Sequence, residues 1–506
     1  MTRFPILVAA ALIAALASPA VPARAASQDV VVATHSGPVR GTAHDGYQSF
    51  QGVPYAAPPV GELRWRDPQP VAPWSGVREA AVPGNPCPQG PADHLTGNED
   101  CLYLNVTAPA GAKRRPVVVW LHGGSFDSGA GSDYDPHRMA VTGDVVVVTV
   151  NYRLGVFGYF GYPGLPDSGT FGLADQQAAL RWVRRNAAAF GGDPRNVTLA
   201  GQSAGGMSVC SQLTSPSAAG LFDKALIQSG SCLIDYPKNL FWPGMPAGSP
   251  WTSRTATEAT GSGFAARVGC GTLECLRHKS TADLSAISTG MFTKPAYDTP
   301  LLPIEPGSAL REGRFQRVPV LEGGNRDEHR GWAAALNAHE PITPQRYRQL
   351  LTDSFGSQAD LVAERYPLSD YPSPVLAWAA VATDRIWSCP TLTGDRLLAR
   401  RTPLYAYEFA DRDAPAPLGL PPGFRYGAYH GSELPYLFDV TNWPAKLTPD
   451  QQLLSDRMIR SWAAFASTGR PWPRFRDAGA VALRPGGVQS VDLAKEHNCD
   501  FWSQLP

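Results

Sequence analysis

Five short, continuously apolar runs constrain what this chain can become. They are residues 116–121 (PVVVWL), 144–151 (DVVVVTVN), 196–200 (NVTLA), 225–228 (ALIQ) and 318–321 (VPVL). A strand with one face in water alternates apolar and polar residues. These runs do not, so both of their faces must be covered, as in a large, mostly parallel sheet flanked by helices. Between the second and third runs, residues 174–190 place Ala178, Trp182, Val183 and Phe190 at helical spacing and stop at Gly191-Gly192. The order strand, helix, strand, turn, helix, strand is that of an α/β fold. Upstream, residues 30–33 and 37–41 read as a hairpin. The proline-rich stretch 53–91 reads as irregular loop. Residues 235–300 are rich in Pro, Gly, Ser and Thr and weakly periodic. They are expected to form a lid-like excursion over the sheet edge, roofing a pocket, with a separate domain there as the alternative.

Composition removes several classes of function. Hydrophobic residues are 43% and charged residues 17% of the 506, too apolar for a disordered chain. Lys+Arg and Asp+Glu both number 44, and no long basic run exists, which argues against a nucleic-acid partner. The start has the form of an export signal: Arg3, an apolar run over 6–16, then the small-x-small pattern Ala23-Arg24-Ala25. Cleavage is expected after Ala25, making residues 1–25 a signal peptide. An uncleaved membrane anchor is the alternative, although the run is short for a bilayer. No other stretch suits a stable membrane anchor. Seven lysines against thirty-seven arginines, with abundant alanine, suggest a GC-rich bacterial genome.

Eight cysteines in an exported chain suggest disulfides, but eight allow 105 pairings and spacing alone selects none. There is no CxxC pair and no Cys/His cluster at zinc spacing, so no metal is expected.

The third apolar run leads into Gly201-Gln202-Ser203-Ala204-Gly205, a G-x-S-x-G pattern, and a helix-compatible segment follows. A sharp strand-to-helix turn exposes the serine hydroxyl at a helix N-terminus, and only very small neighbours let strand and helix approach so closely. Developing negative charge is favoured there. The first run leads into His122-Gly123-Gly124-Ser125-Phe126. Glycines let backbone N–H groups reach a tetrahedral oxyanion without a side chain in the way. The amides of Gly123, Gly124 and Ala204 are the expected donors, and His122 is expected to orient the loop through its ring.

With these motifs on the page, the chain resembles the type-B carboxylesterase/lipase family of α/β-hydrolases, which includes cholinesterases, bacterial esterases and neuroligins. Residues 50–56 (FQGVPYA) with Pro58-Pro59 resemble its N-terminal signature, and residues 99–105 (EDCLYLN) its second. Asn151-Tyr152-Arg153, residues 190–194 (FGGDP) and the C-terminal Cys499-Asp500-Phe501-Trp502 also fit. The likeness spreads over residues 26–506, implying a single domain with the α/β-hydrolase fold. It implies an acid after a later strand, met by Glu328 in residues 323–328 (GGNRDE). It implies a histidine in residues 430–435 (HGSELP), met by His430. Ser203, Glu328, His430 is also the chain order of that fold. Asp327 is the alternative acid. His329, standing where relatives often have glycine, is the alternative base. His35, His44, His94 and His278 read as surface residues, and Trp120 as core.

Together with the export signal, the resemblance implies a secreted serine esterase that needs no cofactor and acts on small-molecule esters. Gln202 stands where choline-specific relatives carry glutamate, and the interval from Cys87 to Cys101 holds no tryptophan, so neutral esters are expected. A lipase, an amidase, a carbamate or polyester hydrolase, or a non-catalytic neuroligin-like binding domain are the alternatives. The family's disulfides imply Cys87 with Cys101, Cys389 with Cys499 and Cys270 with Cys275. Cys210 and Cys232 remain, their pairing left open. Arg64–Glu99 and Arg153–Asp175 are expected as structural ion pairs. The sequence is silent on oligomeric state.

Overall fold

The computed structural model describes residues 29–288, 290–416, 419–441, 443–477 and 479–505. The expected export signal lies outside them. The twelve principal strands are β1 (Asp29–Ala33), β2 (Pro38–His44), β3 (Tyr47–Pro54), β4 (Tyr103–Pro109), β5 (Arg115–Leu121), β6 (Val146–Val150), β7 (Gly192–Gln202), β8 (Lys224–Gln228), β9 (Val320–Asn325), β10 (Leu404–Phe409), β11 (Gly479–Arg484) and β12 (Gly487–Asp492). They lie in one sheet in the order β1-β2-β3-β4-β6-β5-β7-β8-β9-β10-β11-β12. The two-residue strand Arg78–Glu79 pairs with β2 at the edge. From β6 to β11 every neighbouring pair is parallel, and the flanking pairs are antiparallel. The mostly parallel, covered sheet is the one the apolar runs predict, and its arrangement is the α/β-hydrolase fold that the resemblance implies.

The central strands are buried over their carboxyl-terminal parts because both sheet faces are covered. Alternate residues of β5 feed different cores. Val117, Val119 and Leu121 join one apolar cluster, while Val118 and Trp120 join another. Helices α1 (Phe171–Asn186) and α2 (Ala204–Thr214) cover the first face with Leu180, Val183, Val209 and Leu213. Two further helices, α3 (Arg330–His339) and α4 (Pro374–Ala382), belong to the region beyond β9. Helix α5 (Pro449–Thr468) covers the second face with Leu454, Met458, Ile459, Trp462 and Phe465. It starts at a capping box between Thr448 and Gln451 and stops at Gly469, φ 72°.

The excursion over 235–300 holds more regular structure than its weak periodicity indicates. Helices Arg254–Arg267, Leu273–Arg277 and Thr281–Ser288 lie there, the first two capped by Ser253 and Thr272. Their buried positions are few, among them Phe264, Leu276 and Leu284, so the apolar period is thin. Both expected ion pairs form. Arg64 grips Glu99, and Arg153 holds Asp175 through two contacts of 2.7 Å, all four side chains being buried. Arg64 also donates to the carbonyls of Arg277 and Lys279, which ties the excursion to the N-terminal region. Four disulfides are present: Cys87–Cys101, Cys389–Cys499, Cys270–Cys275 and Cys210–Cys232, the last being the pairing left open above.

Candidate active site

Three loops at the carboxyl ends of parallel strands converge, as ligand sites of open α/β sheets do. Ser203 stands between β7 and α2 with φ 56° and ψ −123°, a conformation that L-residues rarely adopt. Two flanking glycines explain how the turn closes. A β-carbon on Gly201 would lie 2.5 Å from the Gly205 backbone, and one on Gly205 would lie 2.0 Å from the Leu121 carbonyl oxygen. The strain on Ser203 is held by packing that no other residue type at those positions allows.

The loop after β5 sits on this turn. A β-carbon on Gly123 would be 3.1 Å from Ser203 Cβ. His122 is fully buried, its Nδ1 2.8 Å from the Gly123 carbonyl oxygen and its ring stacked on Tyr152 at 4.3 Å. Burial pulls its pKa down to about 4, so the ring is neutral and serves to hold the loop. The amides of Gly124, Ser125 and Ala204 have no acceptor among the described residues. The Gly123 amide has none either, but its backbone lies near the Tyr134 phenol and works against the rise that burial gives that group.

His430 lies on the loop after β10. Its Nδ1 is 2.6 Å from Glu328 Oε2, and the other Glu328 oxygen accepts from Asn325 N at 2.7 Å. The Glu328 carboxylate is 1% exposed, so this pair is shielded from water. The far nitrogen, His430 Nε2, accepts from Gln202 Nε2 at 3.2 Å, which places the imidazole beside the turn that carries Ser203. Trp332 and Trp387 flank the imidazole at 4.9 and 4.8 Å and line the same cavity as Ser203. That cavity has a volume of about 220 Å³.

The alternatives raised by the sequence stand elsewhere. Asp327 is engaged by Arg330 at 2.8 Å and by Arg412 at 3.0 and 3.1 Å, and it accepts from Ala428 N. His329 is buried against Phe241 and Trp332, and burial lowers its pKa to about 3. Its ring packs behind the Phe241 and Trp332 rings that line the cavity. His35, His44, His94 and His278 are exposed and Trp120 is core, as expected.

Several supports escape local sequence reading. Glu433 accepts from Asn325 Nδ2 at 2.6 Å and from Gln228 Nε2 at 3.1 Å, joining the histidine loop to β8 and β9. Trp332 and Trp387 carry no motif. The residues that these groups meet lie far away along the chain, so spacing offers no signal; only the HGSELP resemblance drew Glu433 into view. Among the described residues no group of three or more His, Cys, Asp or Glu could hold a metal ion.

Comparison with known proteins follows the same line. The model of the "Carboxylesterase family" matches residues 28–485. The para-nitrobenzyl esterase of Bacillus subtilis (strain 168) is 34% identical over 88% of this chain and 93% of its own length. The fumonisin B1 esterase of Sphingopyxis macrogoltabida is 34% identical over 92% and 88% respectively. A solved thermophylic PNB esterase superposes with a TM-score of 0.77 at 31% identity, over 93% of this chain and 99% of that one. With the family model spanning most of the sequence and the sheet order of an α/β-hydrolase beneath it, the chain belongs to the carboxylesterase family and is a carboxylic ester hydrolase.

Proposed function

We propose that this protein is a secreted serine esterase working through an acyl-enzyme, with Ser203 as nucleophile, His430 as general base and acid, and Glu328 as its orienting acid. The observation that carries this reading is the 2.6 Å contact of His430 with buried Glu328 beside the strained turn of Ser203. Glu328 fixes the proton on Nδ1, so Nε2 presents a lone pair. In the free enzyme the Gln202 amide donates to that lone pair. Substrate entry exchanges this donor for the Ser203 hydroxyl. Ser203 Oγ then attacks the ester carbonyl as His430 takes its proton, and collapse expels the alcohol, which the imidazolium protonates. Water, deprotonated by His430, cleaves the acyl-enzyme to release the acid.

The oxyanion rests on backbone N–H groups of the glycine loop and of Ala204 at the start of α2. The motif pointed to Gly123, Gly124 and Ala204. The cavity is lined by Ser125 and Ala204, and the Gly123 backbone acts on Tyr134, which supports Gly124, Ser125 and Ala204 as the donors. Uncharged Gln202, standing where choline-specific relatives carry glutamate, argues against choline-like cations, while Phe126, Phe241, Trp332 and Trp387 give the site apolar walls for modest acyl chains. Residues 26–506 act in this reading as one catalytic domain. Residues 1–25 direct export, in keeping with the four disulfides. Replacing the nucleophile tests the core of the reading. Ser203→Ala is expected to lose about three or more orders of magnitude in kcat on p-nitrophenyl acetate. A variant hydrolysing that ester at the wild-type rate overturns the assignment.

A further inference from the structure

The cavity that holds Ser203 contains one charged side chain among its described lining residues, Lys294. The rest of the lining is aromatic, aliphatic or hydroxyl-bearing. Lys294 lies near the closing end of the 235–300 excursion, and its Nζ is 3.4 Å from where a β-carbon on Gly248 would stand. No carboxylate among the described residues comes within ion-pair distance of it. The acids of neighbouring segments are turned elsewhere. Asp235 binds Arg385 at 2.8 Å, Glu305 binds Ser249 and Ser308, and Asp298 adds its charge to Tyr297. Burial alone shifts the ammonium, lowering its pKa, with no opposite charge acting against the shift. The ammonium keeps some contact with solvent, and it is the one charged group of the described lining that can meet an anionic substituent with a charge-assisted hydrogen bond.

We propose that Lys294 is a specificity-determining residue that makes the site prefer esters carrying a free carboxylate over neutral esters of the same size. This rests on the Ser203 reading and deepens it. Ser203 attacks the ester carbonyl, while the distant carboxylate of the substrate supplies the counter-charge that Lys294 lacks. The small cavity favours a short spacer between the two groups. A charge-assisted hydrogen bond made in a partly desolvated site outweighs one made in water, and an analogue lacking the carboxylate leaves the ammonium unpaired.

Three esters followed by pH-stat test this: monobutyl succinate, with its carboxylate on the acyl side; 3-acetoxypropanoate, with its carboxylate on the alcohol side; and neutral butyl butyrate. For wild type, kcat/KM for at least one anionic ester is expected to exceed that for butyl butyrate. In Lys294→Met the anionic-to-neutral ratio for that ester is expected to fall at least about tenfold, and Lys294→Arg is expected to restore part of it. Which ester responds tells on which side of the scissile bond the carboxylate sits. A ratio that does not fall in Lys294→Met, because both rates drop together or neither moves, overturns the proposal. So does a wild type that prefers butyl butyrate to both anions. Ser203→Ala, assayed beside these, separates the two failures. If it still turns over the esters, the nucleophile assignment falls, while the Lys294 ratio is read independently.

Discussion

Two adjacent acids, Asp327 and Glu328, illustrate how one residue of register separates a carboxylate facing His430 from one held by arginines. The carboxylate of Glu328 turns inward to His430 and to the Asn325 amide, while that of Asp327 turns outward to Arg330 and Arg412. The two should separate cleanly on mutation. Glu328→Gln leaves a neutral amide that no longer stabilises the imidazolium and permits the wrong tautomer. A loss of about 10³–10⁴-fold in kcat on p-nitrophenyl acetate is expected, as when the acid of such a triad is neutralised. Asp327→Asn weakens two arginine contacts without touching His430, so kcat should change by less than about tenfold while the melting temperature falls. Equal kinetic losses in the two variants would count against the assignment of Glu328. His329, their neighbour, is kept neutral by burial and packs against the aromatic rings of Phe241 and Trp332.

At the scale of elements, strand ends position the chemistry and cross-links hold the outlying segments. β5, β7 and β9 deliver the glycine loop, Ser203 and Glu328 to one edge, because parallel neighbours end on the same side. The disulfides differ in reach. Cys389–Cys499 spans 110 residues and ties the C-terminal segment to the helix Cys389–Ala399, whereas Cys270–Cys275 spans 5. In a chain-entropy picture the first restrains the unfolded chain by about 5 kcal/mol and the second by about 2. Cys389→Ala/Cys499→Ala is therefore expected to lower stability in urea more than Cys270→Ala/Cys275→Ala. Equal midpoints for the two double variants would contradict that order.

Across the whole molecule the buried charges set an alkaline limit. Glu322 on β9 and Asp395 on the helix Cys389–Ala399 face each other, fully buried, with Ser231 alongside. Burial pushes Glu322 up to about 7, and burial together with the Glu322 charge raises Asp395 well above the usual carboxylate range. A carboxyl whose pKa is higher folded than unfolded stabilises the fold while protonated. That contribution is complete below the unfolded value and disappears as pH rises through the folded one. His497 acts in the same direction at higher pH. Burial opposes its charge, but Asp384 and Glu408, at 2.7 and 2.6 Å, outweigh that and raise it to about 10. The melting temperature should therefore fall from about pH 6 to pH 9. Glu322→Gln should flatten the part of that fall near neutrality, as followed by circular dichroism. An unaltered slope in the variant would show that the pair does not titrate there.

The sequence alone determined what is local. Apolar runs without alternation dictate strands covered on both faces, and a serine between two glycines at a strand-to-helix junction dictates a strained, exposed hydroxyl. Both follow from sterics and burial within a few residues. Resemblance then extended the reading to Glu328 and His430, which lie 102 residues apart, with Asp327 and His329 still open as rivals. Only the tertiary structure shows that Glu328, and not Asp327, meets His430, because that contact depends on which way each side chain turns once β9, α3 and the histidine loop are packed. It likewise paired Cys210 with Cys232, gave regular helices to an excursion whose apolar period is thin, and set a solitary lysine in the cavity of Ser203. Contacts of that kind are made by groups far apart along the chain, and no spacing within a segment encodes them.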